Sequence, residues 1–500
     1  MLPRRHFLSA ALVGLTRKSG RPVAGAFADN SHIIGHQLRD RHAFPAPKQT
    51  IKMPVVIAGG GVAGLSAAWR LSKRGFHDFI VLEMERRAGG NSLWGENDIT
   101  AYPWAAHYVP VSDKRATLVR ELFEELGVLQ NGVWDERHLC FSPQERLFLH
   151  GRWQEGLEPG IGLTARDHEQ FRKFEDLVRE FRTTGQFTIP AEISVRRPEL
   201  DLMPISDWLH NQKFTSPYLN WYINYCCRDD YGASIHDTSA WAAIHYFASR
   251  NPEDKGPLTW PEGNGWIVRK LLERLGRHVR TGATVTRIVR DRNRWRVMAE
   301  DTEYLAEAVI FSAPTFLASY LTDAVAPARS FQYSPWVTAN LTLDRPPRER
   351  GIEPAWDNVI YDSPALGYVV ATHQTIRSRV DRSVWTYYWA LAGAPPSRSR
   401  ALLLAKDWNY WKEAILNDLA RAHPDIRECV SRIDVMRLGH AMIRPVPGFI
   451  FSDERRRFAE HVAGNLFFAN SDLSGLSLFE EAQYRGVKAA ERALRVLSKA

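Results

Sequence analysis

The sequence predicts an α/β protein in which one unit, assembled from three separated pieces of chain, accommodates an inserted mixed α+β unit. Three observations carry this. The apolar run Val55-Val56-Ile57-Ala58 breaks into Gly59-Gly60-Gly61-Val62-Ala63-Gly64, a G-x-G-x-x-G turn opening a small-residue helix. A second apolar run, Phe79-Ile80-Val81-Leu82, then delivers Glu83. Between the pieces, helix-period and strand-like stretches follow one another without an internal repeat or low-complexity tract.

Gly59 permits the tight turn, Gly61 lets backbone N–H groups approach a pyrophosphate, and Gly64 lets the helix pack close to the strand. Val62 and Ala63 open that helix, whose N-terminus attracts phosphate charge. Glu83, 19 residues after Gly64, is placed to accept the hydroxyls of an adenosine ribose. Strand, glycine turn, helix, strand and acid together make the Rossmann-like dinucleotide-binding fingerprint.

Beyond Glu83 the chain reads Met84-Glu85-Arg86-Arg87-Ala88-Gly89-Gly90-Asn91. A nicotinamide-only site has no need of this second glycine pair, which lets the chain turn back beneath the pyrophosphate toward a flavin. Here the sequence resembles the flavin-containing amine oxidoreductase superfamily, which includes monoamine and polyamine oxidases and phytoene-desaturase-like enzymes. Its extended signature is G-G-G-x-x-G-L-x-x-A, then E-x-x-x-R-x-G-G-R. Gly59 to Ala68 match the first part, and Glu83, Arg87, Gly89 and Gly90 the second; Asn91 stands where the family has arginine. The resemblance implies FAD as cofactor.

Two distant segments extend the resemblance. Trp260-Pro-Glu-Gly263-Asn-Gly265 precedes a helix-like run from Trp266 to Leu275, then Gly282-Ala-Thr-Val285-Thr-Arg-Ile288 and the apolar stretch Ala308 to Pro314. These look like the superfamily's P-x-G-G, helix, V-x-x-I and A-x-P series, which implies that the Val285 backbone meets the adenine. Near the end, Gly464 to Asp472 and Glu480 to Ala490 resemble the C-terminal FAD segment. There a strand feeds an acid near the ribityl chain, matched by Asp472, and a final helix points its N-terminus at the flavin. Asn470 replaces the usual glycine, and no Cys or His in 464–490 offers a covalent tether.

Composition and charge narrow the partners. Five of the eight net positive charges lie in residues 1–28, so the basicity belongs to a leader and nucleic acid is excluded as a partner. That leader carries Arg4-Arg5, then Phe7-Leu8 and a modest apolar stretch, resembling a twin-arginine export signal, with Ala26-Phe27-Ala28 as a small-x-small cleavage site. The expected location is periplasmic or otherwise exported, reached through the twin-arginine machinery; a cytoplasmic enzyme with a basic N-terminus is the alternative. No run approaches a membrane span. Cys140, Cys226, Cys227 and Cys429 make no disulfide framework, and no His/Cys spacing suggests a metal.

After the leader, 29–52 reads as a linker. The FAD-binding pieces are about 53–112, 260–320 and 431–500, and the substrate unit is 113–259 with 321–430. The patterns predict helices from Lys114 to Leu129, Asp167 to Thr183 and Ala401 to Ala422, and strands from Trp336 to Leu343 and Val384 to Leu391. His107, in Tyr102-Pro-Trp104-Ala-Ala-His107-Tyr108, sits where the family chain passes the flavin. Asp229 and Asp230 close a helix beside aromatics and could bind a cationic amine; they also read as solvated helix-end charges. Aromatics crowd 331–411, favouring a sizeable apolar pocket.

One departure bears on the reaction. Many amine oxidases carry a lysine, water-bridged to flavin N5, on a substrate-domain strand. From Leu271 to Ala405 this chain has none, and the matching strand carries Thr338 or Asn340. The expected aromatic pair before Glu480 is absent too, since Leu478 precedes Phe479. Three readings follow: oxidation of a small-molecule amine or polyamine with oxygen or a quinone-type acceptor, dehydrogenation of a terpenoid-like or other apolar substrate, or a flavin-binding protein with little turnover.

Overall fold

The computed structural model describes residues 22–28, 32–250, 256–348, 351–376, 380–460 and 463–498. The predicted twin arginines, Arg4 and Arg5, lie outside them. At the centre is a five-stranded parallel sheet in the order Val279–Thr281, Phe79–Glu83, Val55–Ala58, Ala308–Phe311, Leu466–Phe468. Its inner strands are buried on both faces and read as continuous apolar runs for that reason. Helices Val62–Lys73, Gly265–Leu275 and Phe479–Leu497 share a core with one face. A four-stranded sheet, Gln49–Lys52, Thr302–Ala306, Arg294–Ala299 and Val285–Asp291, shares the core of the other.

The inserted unit is a seven-stranded mixed sheet in the order Val430–Ile443, Tyr333–Leu343, Ser383–Ala390, Gly367–Val370, Asp357–Ile360, Glu145–Leu149, Arg152–Glu155. Alternation divides its two faces. Val337, Leu341, Tyr368, Trp385 and Tyr387 pack toward helix Trp408–Leu419. Trp336, Val359, Val369 and Tyr388 pack toward helix Pro217–Tyr231. That helix, with Ala165–Thr183, Ile205–Asn211 and Ala240–Ala248, forms a helical lobe with its own core.

Five expectations are corrected. Strand Val430–Ile443 pairs with Tyr333–Leu343, so the third FAD-binding piece starts after 443 rather than at 431. Helix Thr117–Glu125, shorter than the pattern predicts, buries Val119, Leu122 and Phe123 in the core of the first unit, although 113–259 reads as substrate unit in the sequence. The helix expected from Ala401 to Ala422 is two, Pro396–Ala405 and Trp408–Leu419, because Asp407 caps the second by accepting the Tyr410 N–H at 2.9 Å. The expected linker 29–52 holds helix His32–Arg39 and strand Gln49–Lys52.

The fifth concerns the leader, expected to run to residue 28. Residues 24–28 lie parallel to strand Val430–Ile443 with four backbone hydrogen bonds: Ala24 N–H to Ser431 O, Ile433 N–H to Ala24 O, Val435 N–H to Ala26 O, and Ala28 N–H to Val435 O, all 2.8–2.9 Å. Gly25 is required, because at φ +140° a Cβ would fall 1.8 Å from the Ile433 oxygen. Phe27 lies under the Arg437 guanidinium at 3.9 Å. The Ala26-Phe27-Ala28 stretch is thus a working part of the folded sheet.

Candidate functional site

The glycine turn follows strand Val55–Ala58 directly. Gly59 adopts φ +112°, and a Cβ on Gly64 would lie 2.0 Å from the Gly59 oxygen, so the helix starts in backbone contact with the turn. Gly61 differs: a Cβ there would meet only the Gly90 Cα, at 3.9 Å. Gly61 and Gly89 form a bridge, and the Gly89 N–H donates to Gly60 O at 2.8 Å, so the two glycine clusters make one smooth wall. Helix Val62–Lys73 has no side-chain cap and no acid in its first turn, leaving the N–H groups at Val62 and Ala63 available to an anion.

Glu83 ends its strand beside this wall. Its carboxylate accepts the Gly60 N–H at 2.6 Å and the Glu85 N–H at 2.8 Å, which fixes its orientation; burial raises its pKa against those bonds. The Ala283 N–H donates to Glu83 O at 2.8 Å and the Gly282 N–H to Glu85 O at 2.9 Å, setting the backbone that leads to Val285 beside the acid. Arg87 is exposed and donates weakly to Trp94 O. Asn91 ties two units together: its Nδ2 donates to Ala441 O at 2.6 Å and its carbonyl accepts the Ala106 N–H.

Asp472 follows strand Leu466–Phe468 and is buried. Its Oδ2 accepts the Thr315 N–H at 2.9 Å and the Tyr333 hydroxyl at 2.6 Å, while burial raises its pKa. Helix Phe479–Leu497 crosses the glycine-turn helix so closely that a Cβ on Gly486 would lie 2.1 Å from Ala63 O. That glycine was visible in the sequence, but nothing local marks a helix crossing. Phe479 stacks on Phe123 in the core, so it forms no wall of a substrate pocket.

The stretch from Trp104 to Tyr108 crosses from this unit to the inserted sheet. His107 is clamped by the Thr259 hydroxyl on its carbonyl at 2.7 Å and by Gly263, where a Cβ would come 2.7 Å from His107 Cα. Its Nδ1 faces Ala105 O at 3.1 Å; a carbonyl only accepts, so Nδ1 carries the hydrogen and Nε2 a lone pair. Burial lowers its pKa to about 4, keeping it neutral. The ring stacks on Tyr388 at 4.4 Å, with Tyr108 and Trp356 at 5.1 and 5.5 Å.

Tyr218, Tyr222, Tyr225 and Asp229 recur at steps of four, three and four along helix Pro217–Tyr231, one stripe of a 3.6-residue repeat. The stripe faces the sheet bearing Tyr388 and Trp356. The two candidate aspartates therefore separate. Asp230 is engaged, receiving Arg250 Nη2 on both oxygens at 3.3 Å and the Tyr108 hydroxyl at 3.4 Å, which removes it as an amine ligand. Asp229 lies on the stripe that faces the aromatics; burial first, then the neighbouring Asp230, pushes it up to about 7, against the pull of Arg250 and a Tyr108 hydrogen bond. Thr338 is buried with an unpartnered hydroxyl, whereas Asn340 bridges Pro103 O and the Thr386 hydroxyl. All four cysteines are free and buried. Among the described residues no metal-holding group and no helix fit to cross a membrane occurs.

These features define a flavin-dependent oxidoreductase, and sequence comparison agrees. The chain matches the family described as flavin containing amine oxidoreductase over residues 62–494 and belongs to it. It is an FAD-dependent enzyme of that family. Its relatives include the L-amino acid dehydrogenase of Synechocystis sp., 24% identical over 282 residues, 53% of this chain and 57% of that one. Human amine oxidase B is 25% identical over 281 residues, 53% of this chain and 51% of the relative. The matched stretches span about half, or less, of the curated relatives. Putrescine oxidase bound to putrescine shares the fold, with TM-score 0.68 and 18% identity over 89% of this chain and 100% of that one. So does cyclohexylamine oxidase from Brevibacterium oxydans, with TM-score 0.65 and 14% identity over 90% and 100%.

Proposed function

We propose that the protein oxidises an amine at a bound FAD. The pyrophosphate would lie along Gly59, Gly61 and Gly64 and over the first turn at Val62 and Ala63. Glu83 would take the ribose, the Val285 backbone the adenine, and Asp472 the ribityl end. Arg87, Gly89, Gly90 and Asn91 would carry the chain back beneath the cofactor. The open space at Gly61 and the uncapped helix support this fit. FAD supplies a two-electron acceptor for a substrate C–H.

The chain's own residues would bind and orient the substrate. The placement of Asp229 and Tyr388 on facing elements beside the locked, neutral His107 carries the assignment. Ionised Asp229 would attract the ammonium, and the aromatic walls would exclude water and hold the alkyl part. The likeness to amine oxidases supports the same class. Thr338 in place of a lysine favours a second reading, dehydrogenation of an apolar substrate.

Anaerobic titration separates the two: amines should bleach the flavin, and bleaching only by apolar compounds would establish the second reading. Reoxidation by air or by a quinone then identifies the acceptor. Twin-arginine export belongs to the proposal as well. Arg4→Lys with Arg5→Lys should hold the protein in the cytoplasm with FAD binding intact, and unchanged fractionation would remove that part.

A further inference from the structure

A cavity lies at the joint of the two units, where helix Pro396–Ala405 packs on strands Tyr333–Leu343 and Val430–Ile443. It encloses about 320 Å³, and its lining includes Phe316, Phe331, Tyr333, Ser397, Arg400 and His440. Three of these rings pack on one another. His440 stacks on Phe316 at 4.5 Å, while Tyr333 meets Phe316 edge-on at 5.0 Å and His440 at 6.0 Å. Phe331 extends this aromatic wall. None of the residues assigned to the cofactor lines the cavity. Tyr333 links the two places, since its ring is a wall here and its hydroxyl donates to Asp472 at 2.6 Å.

The charge around this wall is one-sided. Arg400 reaches across from its helix and donates Nη1 to Tyr333 O at 3.2 Å; among the described residues no carboxylate pairs with it. The neighbouring cations are already matched, Arg444 with Asp237 at 2.9 Å and Arg39 with Asp40 at 2.7 Å. Burial first, then Arg444, lowers the Arg400 pKa, a strain on its charge that an anion would offset. Desolvation, then Arg400, His36 and Arg39, lowers His440 to about 4, leaving a neutral imidazole that can donate one hydrogen bond. Helix Pro396–Ala405 begins at the cavity with no side-chain cap and no acid in its first turn, so its positive end adds to Arg400.

We infer that this cavity is a second ligand site, taking a small aryl carboxylate whose ring packs on the aromatic wall and whose carboxylate pairs with the Arg400 guanidinium. An aliphatic anion would leave the wall uncovered, and a neutral aromatic would leave the guanidinium unpaired. A volume of about 320 Å³ is at the small end for ligand cavities, which suits one ring with a short acid arm. The site stands independently of the reaction assigned above.

Titration calorimetry on FAD-loaded enzyme tests this with three probes: phenylacetate, phenylacetamide, which keeps the shape without the charge, and acetate, which lacks the ring. Phenylacetate should bind saturably and about tenfold or more tightly than either of the others. Arg400→Gln should weaken it by about tenfold or more at unchanged FAD content and Tm. Ser397→Glu carries the same test should Arg400→Gln fold poorly. Ser397 is exposed, an acid suits the first turn of a helix, and the new charge should repel the ligand carboxylate. No saturable binding of phenylacetate, equal affinity for phenylacetamide or acetate, or affinity that survives either substitution in folded protein would overturn the inference.

Discussion

Gly486→Ala probes the joint between the C-terminal helix and the glycine-turn helix. The added Cβ would sit 2.1 Å from Ala63 O, and contacts under 3.0 Å are essentially never seen, so the helices must part by about 1 Å. The obstruction is backbone rather than a flexible side-chain tip. The cost therefore belongs at the upper end of the overpacking range, about 3 kcal/mol. For a cooperative unit of this size that lowers Tm by about 3 °C. If the apo-protein relaxes the strain and FAD must restore the joint, the same energy appears as an affinity loss of about a hundredfold. Thermal unfolding and FAD titration of apo-protein measure the two shares. Gly35→Ala is the control, since a Cβ there meets nothing within 4 Å inside a helix, and it should be neutral or stabilising. If the two variants behave alike in both assays, the close crossing is wrong.

Other consequences follow from the same geometry. Glu83→Ala should weaken FAD binding at least tenfold, because charge-assisted bonds contribute about 1.5–3 kcal/mol each; Asp472→Ala should slow flavin reduction more than it weakens FAD binding, which stopped-flow reduction beside the titration will show. Asp229, raised to about 7, is protonated below that pH, so amine affinity should improve as pH rises through 7, and Asp229→Asn should flatten the profile. Stability runs oppositely: the folded protein holds this proton more tightly than the unfolded chain, so the contribution is present at low pH and lost as pH climbs to about 7. Differential scanning across pH compares the two trends. Deleting residues 1–28 should lower Tm several degrees below that of a protein lacking only 1–21, because it removes four ladder bonds and the Phe27–Arg437 contact; equal melting would refute the docked strand.

The parallel core was legible because its signals are local. The apolar run, glycine turn and acid fall within thirty residues, and the run forms a buried strand that leads straight into the turn. Asp229 was visible as a candidate but not separable from Asp230, since a helix repeat alone does not say which neighbour meets Arg250. The stacking of His107 on Tyr388 was invisible: they lie 281 positions apart and meet only through the fold, which periodicity cannot supply. The split of the 401–422 helix did have a signal, Asp407 followed by an aromatic run. Residues 22–28 read as processed leader because small residues serve equally at a cleavage site and at a close backbone crossing.

That docked strand also sets a clock. Ala26 and its partner Asp434 are 408 residues apart. At roughly 5–20 residues per second, synthesis leaves the first waiting about 20 to 80 s for the second. During that interval the N-terminal segment has no edge to join, while much of the five-stranded sheet can already collapse behind it. Docking therefore marks a chain synthesised past Val435. Whatever engages residues 22–28 earlier meets them undocked, and whatever engages them later meets them held against the substrate sheet.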